Sequence, residues 1–422
     1  MTAIPPTRQK LVCVGWWRPG TGLTRVAAET LSRLAEHWDI HYAGVGYAGP
    51  VKQINGWTLH PTDFQTRDAF GAHRAAELVQ EHRPSAVIAF NDLWFLNGYR
   101  VAIERTGVKP RLIAYLPLDG ELHDSNLAQP LLGYDDVVVY TQWARRQVET
   151  AIGELTTQKS PNVEVAGHGV DLQAFRPSKK LVAADYHYSG RAAAKRQVFK
   201  ALPSPEKSFV VLNASRPSPR KCIGITVDGF AQWLQNIPAT DRDHCYLCLH
   251  QAITSDEHTQ PIVDQIAQLG LQRNVLMQPF QSGPVSDQDL NLLYNACDVG
   301  INSSNGEGWG LVSFEHAAAG GRQIVPDHSA CGELWTEHGI RLPVHRKAVE
   351  PYSPLRLSHV SAQSVSNALM KSFQRRHGSG LAEQRLWCQR PQFKWESVAA
   401  SWHRLLANGD DLVSCNKKRA TQ

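Results

Sequence analysis

Two carboxylates, Glu307 and Glu315, stand eight positions apart in Glu307-Gly-Trp-Gly-Leu-Val-Ser-Phe-Glu315. The run Asp298-Val-Gly-Ile-Asn302 before them reads as a strand, Ser303-Ser-Asn-Gly306 as a loop, and the stretch from about Leu311 as a helix. A loop feeding a helix N-terminus is an anion site, because the first-turn amides lack intrahelical partners. Gly308 and Gly310 remove side chains where backbone must approach a ligand, leaving the amides of Leu311 and Val312 for phosphate oxygens. Carboxylates accept pairs of hydroxyls, so Glu307 on the loop and Glu315 in the helix can hold different hydroxyl-rich parts of one ligand. The plainer alternative is a helix-dipole carboxylate and a solvated helix residue; the glycine flanks weigh against it.

A second segment, Asn213-Ala-Ser-Arg-Pro-Ser-Pro-Arg-Lys221, follows the apolar run Phe209 to Leu212 and precedes the helical pattern Ile225 to Leu234. Its cations, Arg216, Arg220 and Lys221, sit on a proline-stiffened turn suited to neutralising a diphosphate as charge develops on it. Taken alone, a basic turn is more often solvated surface. Gly15-Trp-Trp-Arg-Pro-Gly-Thr-Gly22 is a glycine-bearing loop after the first strand, but Arg25 stands where a dinucleotide fingerprint needs glycine, so a tight turn is an equal reading. Asp119 in Leu116-Pro-Leu-Asp-Gly120 and Asn91-Asp92 also follow strand-like runs; Asp92 reads best as a helix N-cap.

Other signals carry less. His244-Cys-Tyr-Leu-Cys-Leu-His250 holds one CxxC without a second pair at zinc spacing, and reads as a buried strand. Asp241-Arg-Asp243 precedes its strand and Asp287-Gln-Asp289 opens a helix, so neither Asp-x-Asp pair reads as a metal site. His168-Gly-Val-Asp171 suits a sharp turn better than a catalytic role.

The elements that must position these residues alternate strand and helix. In the N-terminal half, Leu11 to Trp17 is followed by Thr24 to Trp38, whose Val26, Ala27, Leu31, Leu34, Ala35 and Trp38 share a helical face. Apolar runs recur at 40–45, 86–90, 112–116, 137–140 and 163–166, most separated by helix-length segments. A polar, proline- and lysine-rich stretch between Phe175 and Ser208 reads as an interdomain linker plus a helix. A second series then runs through 209–214, 245–249, 275–277, 299–302 and 323–325. With 422 residues the chain exceeds one core, and the alternation implies α/β architecture: two doubly wound domains, with ligands in a shared crevice at the strand carboxyl ends. The expected division is 1–178 and 179–392, a helix of about 393–408 completing the first domain, and a loose basic tail at 409–422.

Hydrophobic residues at 42% and charged residues at 20% exclude collagen-like, coiled-coil and mainly disordered classes. No apolar run is long enough to span a membrane, and the opening Met1-Thr-Ala-Ile-Pro-Pro-Thr-Arg-Gln-Lys10 lacks a signal-peptide core, so the expected location is the cytoplasm. The eight cysteines mostly fall in apolar patterns, without a disulfide framework. A net charge of +5 is compatible with a phosphate-bearing ligand and does not by itself indicate nucleic acid.

Together, the Glu-x7-Glu segment, the Arg216 to Lys221 turn, His168-Gly-Val-Asp171 with Phe175-Arg-Pro177, and Tyr140-Thr-Gln-Trp143 resemble the retaining glycosyltransferases of the large group-one family, family-four type. The resemblance covers nearly the whole chain and is most specific from Phe209 to Trp335. It implies the GT-B fold, two Rossmann-like domains facing across a cleft, with a sugar nucleotide held mainly by the C-terminal one. It implies that Glu307 contacts the donor sugar, Trp309, Gly310, Leu311 and Val312 its hydroxyls and phosphates, Glu315 the ribose, and Arg216 with Lys221 the diphosphate. Gly22 would face the donor from the other domain.

Two departures stand out: Tyr115-Leu-Pro-Leu-Asp119 lacks a histidine that many relatives carry there, leaving Asp119 as its substitute, and Gly320-Gly-Arg-Gln323 stands where relatives often have Gly-x-Pro. The expected reaction is retaining transfer of a hexose-type sugar from a nucleoside diphosphate sugar to an acceptor hydroxyl, with no cofactor and no metal. The acceptor is open: a saccharide, a lipid-linked glycan, a small molecule, a protein or modified DNA. A non-catalytic sugar-nucleotide-binding protein is the alternative; a glycoside hydrolase leaves the basic turn unexplained.

Overall fold

The computed structural model describes residues 8–62, 68–155, 160–178, 189–200, 202–250, 257–277, 285–376 and 381–419. They form two compact units: Met1–Leu118, Leu122–Gly169 and Lys394–Gln422 make the first, Asp119–Glu121 and Val170–Phe393 the second.

The first unit runs β1 (Gln9–Trp16), α1 (Gly22–Leu34), β2 (Trp38–Val45), β3 (Lys52–Ile54), β4 (Trp57–Pro61), α2 (Ala72–His82), β5 (Ala86–Phe90), α3 (Leu93–Glu104), β6 (Arg111–Leu116), β7 (Asp136–Val139), α4 (Gln142–Leu155) and β8 (Asn162–Val165). Its sheet has the order β3-β4-β2-β1-β5-β6-β7-β8. Every pairing is parallel except the β3–β4 hairpin. Helices cover both faces, so β5 and β7 are buried throughout, as is β1 from Leu11 to Gly15, and they read as apolar runs. The hairpin turns on Asn55 (φ 42°) and Gly56 (φ 91°), a two-residue connection needing positive φ at both positions. Its short, partly polar strands carry little apolar signal, although Asn-Gly announces the turn.

Trp38 departs from the expected helix. Thr21 caps α1 through a bond to the Thr24 amide, the helix stops at Leu34, and Trp38 opens β2 with its side chain buried. The strand claims it because pairing of Trp38 with Gln9 starts the β1–β2 ladder.

The second unit runs α5 (Ser189–Val198), β9 (Phe209–Asn213), α6 (Ile223–Gln235), α7 (Ala239–Arg242), β10 (Cys245–Leu249), α8 (Gln260–Gln268), β11 (Val275–Met277), α9 (Asp287–Ala296), β12 (Val299–Ile301), α10 (Leu311–Ala318), β13 (Arg322–Pro326), α11 (Ser329–Leu334) and β14 (Ile340–Leu342). The hairpin β15 (Arg346–Val349) and β16 (Arg356–His359) and the helices α12 (Ala362–Gln374) and α13 (Leu381–Cys388) follow. Its six-stranded sheet is parallel throughout, in the order β11-β10-β9-β12-β13-β14. Strand order reverses between β9 and β12, and a doubly wound sheet takes its ligand at that reversal, where the loops after the two strands diverge. Trp233 of α6 anchors the core against Phe209, Phe230 and Phe373 at ring separations of 5.7, 5.5 and 5.4 Å.

Three boundaries differ from the sequence expectation. The chain passes into the second unit at Val170 rather than near 179. The supposed linker is engaged within that unit: the Arg176 and Ser178 amides donate to Asn291 and Asn295, and Lys195 reaches Asp298 at 2.7 Å from a buried position. Its polar residues satisfy buried groups, which composition cannot distinguish from solvation; residues 179–188 lie outside the described set. Finally, the last helix, α14 (Trp395–Arg419), belongs to the first unit and continues through much of the expected tail, since each residue added to an existing helix gains a bond without a new nucleus. Among the described residues, no helix is long and apolar enough to cross a membrane.

Candidate functional site

The loops after β9 and β12 bring the basic turn onto the Glu307 loop. Asn213, last residue of β9, donates to Thr226 of α6 (3.0 Å), and Thr226 shares a hydrogen bond with Ser303 (2.7 Å). Ser303 in turn donates to the Cys222 carbonyl (3.0 Å), and the Asn305 amide to the Arg220 carbonyl (2.8 Å). These buried links fix the two loops before any charged group is considered. Pro219–Lys221 forms a single tight helical turn, ending at Cys222 with φ 46°. Ser329, which accepts from the Glu307 amide at 3.2 Å, has φ 45°. A non-glycine residue in the left-handed region costs on the order of 1–3 kcal/mol, so both are held there by their surroundings, and both flank this site.

Lys221 Nζ lies 2.6 and 2.8 Å from the two oxygens of Glu307, and Arg220 lies 3.1 Å from one of them. Arg220 also pairs with Asp119 (3.0 Å) and donates to the Gly306 carbonyl. Asn302 donates to Glu307 at 3.1 Å. Burial alone would raise the Glu307 carboxyl, but Lys221 and Arg220 outweigh it and hold it down at about 2. Burial lowers Lys221, partly offset by Glu307. The result is a four-membered charge network of two cations and two carboxylates beside the strand-order reversal, with Glu307 buried and Lys221, Arg220 and Asp119 half-buried. A Cβ on Gly306 would overlap the Asp119 carbonyl, so glycine there is what lets the loop close on this network.

Helix α10 begins at Gly310, whose φ of 93° is cheap only for glycine. The first-turn amides of Leu311 and Val312 stand at this helix start, and Val312 is exposed. Glu315 is buried on the inner face, accepting from the Tyr294 hydroxyl at 2.9 Å. The Trp309 indole stacks on Phe314 (5.4 Å) and meets Phe393 (6.1 Å) in an aromatic core, so only its backbone is available to a ligand. Arg216 is exposed, on the same turn as Lys221.

Gly22, in the first unit, is the first residue of α1, behind the Thr21 cap. Asp119 falls in the second unit with Arg220, its carboxylate engaged by a guanidinium. His168 is buried among Tyr140, Tyr115 and Trp395, and burial pushes its pKa down to about 3. Cys245 and Cys248 are buried along β10, and Asp287 and Asp289 lie in the first turn of α9, as their patterns indicated. Sequence reading passed over Asn302, Tyr294, Ser329 and His328, whose Nε2 contacts the Ser304 carbonyl at 2.9 Å. Asn302 ends the strand of the Glu307 motif but was given no role there, and the other three lie outside any local motif.

No family model matches the chain. The D-inositol 3-phosphate glycosyltransferase of Salinispora tropica is 25% identical over 295 residues, 68% of this chain and 57% of the relative, so the match spans little more than half of that protein. The Anabaena HepE structure in complex with UDP-glucose superposes with a TM-score of 0.69 at 15% identity, covering 95% of this chain and 100% of the other. Sucrose-phosphate synthase from Thermosynechococcus elongatus gives 0.67 at 16% identity, covering 95% and 99%. With two Rossmann-like units and these similarities, the chain has the GT-B fold and is similar in sequence to a glycosyltransferase over about two thirds of its length.

Proposed function

We propose that the chain is a retaining glycosyltransferase that moves a hexose-type sugar from a nucleoside diphosphate sugar to an acceptor hydroxyl without a metal. The observation that carries this reading is the meeting of Lys221 and Arg220 with Glu307 beside the start of α10, at the strand-order reversal. A diphosphate leaving group gains negative charge as its bond to the anomeric carbon breaks. Fixed cations and helix amides in a buried setting stabilise that charge without reorganising. Arg216 and Lys221 serve the diphosphate, the amides of Leu311 and Val312 its oxygens, Glu307 the sugar hydroxyls and Glu315 the ribose.

Lys221 rests on Glu307 in the structure. On donor binding it exchanges one carboxylate contact for a phosphate oxygen while Glu307 turns an oxygen to a sugar hydroxyl. In the retaining step, the acceptor oxygen bonds the anomeric carbon on the face the phosphate leaves, and its proton passes to the departing phosphate oxygen. No protein base is needed, which suits an Asp119 carboxylate already committed to Arg220. HepE is described with UDP and UDP-glucose, so uridine donors head the panel; the relatives' name adds an inositol phosphate to the acceptors.

Thermal-shift screening against UDP-, GDP-, ADP- and dTDP-sugars identifies the donor, because a ligand binding only the folded state raises the transition by mass action. Transfer is then followed with that donor in excess chelator, and the anomeric configuration of the product is read by NMR. The reading requires transfer with retention in chelator and a fall of about 100- to 1,000-fold for Lys221→Ala. A near-normal rate in that variant overturns it, and donor binding without transfer to any acceptor favours the non-catalytic alternative.

A further inference from the structure

Three histidines distant in sequence converge in the first unit, apart from the groups used above. His41 lies on β2, His60 on β4, and His82 ends α2. The register places His41 opposite Thr58, so His60, two residues on, projects from the same face of the sheet. The Nδ1 of His41 is 3.1 Å from the Nε2 of His60, and the His41 and His82 rings stack at 3.5 Å with 12° between planes. One ring nitrogen from each histidine falls within 4.8 Å of the other two. His82 Nε2 is buried without a hydrogen bond; the Glu81 carboxylate stands 3.6 Å away.

We propose that His41, His60 and His82 bind a divalent transition-metal ion of the zinc class, tying the end of α2 to β2 and β4. At metal–nitrogen distances of about 2.0–2.1 Å, neighbouring ligands lie about 2.8–3.0 Å apart in octahedral and about 3.3–3.4 Å apart in tetrahedral geometry; the 3.1 Å between the His41 and His60 nitrogens, here a hydrogen bond, lies between the two, so an ion replacing its proton needs only a small shift. Imidazole nitrogens select zinc, nickel, copper or iron over magnesium and calcium. Asp39, 3.6 Å from His41 Nε2, and Glu81 provide carboxylates at the rim to orient the rings or complete the coordination.

Two side chains must move. The His41 and His82 rings are stacked and nearly parallel, so their in-plane lone pairs run side by side, and His82 has to turn off the stack to aim its nitrogen at the ion. Arg74 lies 3.3 Å from His60 Nδ1, and a metal on Nε2 would put a proton on that nitrogen, setting two donors against each other. Arg74 already pairs with Glu77 at 2.7 Å, so the guanidinium can withdraw to its carboxylate. His82 precedes β5 by four residues, which places the triad near the amino end of that strand and away from the ligand edge at the carboxyl ends. The metal therefore holds structure and takes no part in sugar transfer.

The test is a titration of chelator-stripped full-length protein, without an affinity tag, with Co²⁺ as a spectroscopic stand-in. The expected result is one equivalent bound with a visible ligand-field band, displaced by Zn²⁺, and a higher melting temperature with Zn²⁺. His41→Gln and His60→Gln should weaken binding at least about 100-fold and abolish the Zn²⁺ stabilisation. Arg74→Ala, which clears the competing donor and is no ligand, should bind as tightly or more tightly. Absence of the band in the parent, or unchanged affinity in both glutamine variants, overturns the proposal. Neither outcome bears on the donor site.

Discussion

Replacing Lys221 with methionine preserves much of the side chain's length and removes its charge. A Glu307 carboxyl held at about 2 instead of the ordinary 4.5 contributes about 3 kcal/mol to folding above pH 4.5, and loses it as pH falls from there through 2. Lys221 ranks ahead of Arg220 among the groups lowering that carboxyl, and it makes the 2.6 and 2.8 Å contacts. Removing it leaves a buried carboxylate on Arg220 and Asn302 alone, so the expected loss at pH 7 is about 2–3 kcal/mol. Burial then raises the Glu307 carboxyl in the variant, and protonation relieves the penalty, so the deficit narrows towards pH 4. Urea unfolding at pH 7 and pH 4, followed by tryptophan fluorescence, measures both values. The double variant Lys221→Met with Glu307→Gln should regain about 1–2 kcal/mol over Lys221→Met, because it leaves no unpaired charge. A single variant within about 0.5 kcal/mol of the parent at pH 7, or a double variant whose losses add, refutes the charge-network reasoning. The regained stability should bring no return of transfer activity, which separates the lysine's role in the fold from its role on the phosphate.

Gly306→Ala should lower stability by about 1–3 kcal/mol and depress transfer, since its Cβ would overlap the Asp119 carbonyl; an unchanged melting temperature would contradict the close approach. Glu315→Gln should raise KM for the donor with a smaller effect on kcat, while Tyr294→Phe, which removes the hydroxyl donating to Glu315, should show a weaker form of the same pattern in steady-state kinetics. Asp119→Asn should reduce kcat by less than about 10-fold if Asp119 only positions Arg220; a loss of about 100-fold or more with an altered pH profile would assign it the base role that our reading denies it.

What could be read from the chain divides by how local the signal is. The strand, loop and helix around Glu307 were legible because apolar run, small polar residues, glycines and helix start lie within twenty positions. The contact between Lys221 and Glu307, 86 positions apart, was not, because it depends on β9 and β12 becoming neighbours. Trp309 shows a subtler limit: its place in the motif indicated a ligand contact, yet its ring fills the space between Phe314 and Phe393, and only the backbone remains for that purpose. Asp119 looked like a stand-in for a missing histidine, whereas its partner Arg220 comes from a turn a hundred residues later. His41, His60 and His82 carried no recognisable spacing, since a crossover sheet sets their proximity.

The first unit is stitched from stretches far apart in the chain. Arg33 on α1 meets Glu396 on α14 at 3.0 Å, Arg111 donates to the Leu405 carbonyl at 2.7 Å, and Trp402 packs edge-on to Tyr115 at 4.9 Å. During synthesis, therefore, the first sheet emerges from the ribosome long before the helix that covers part of it, while the second unit is contained in one nearly continuous later stretch. The half that is made first is the half that finishes last. A nascent chain stalled before Trp395 should carry a protease-resistant second unit and a first unit still dependent on chaperones, reversing the usual N-terminal-first order of domain maturation.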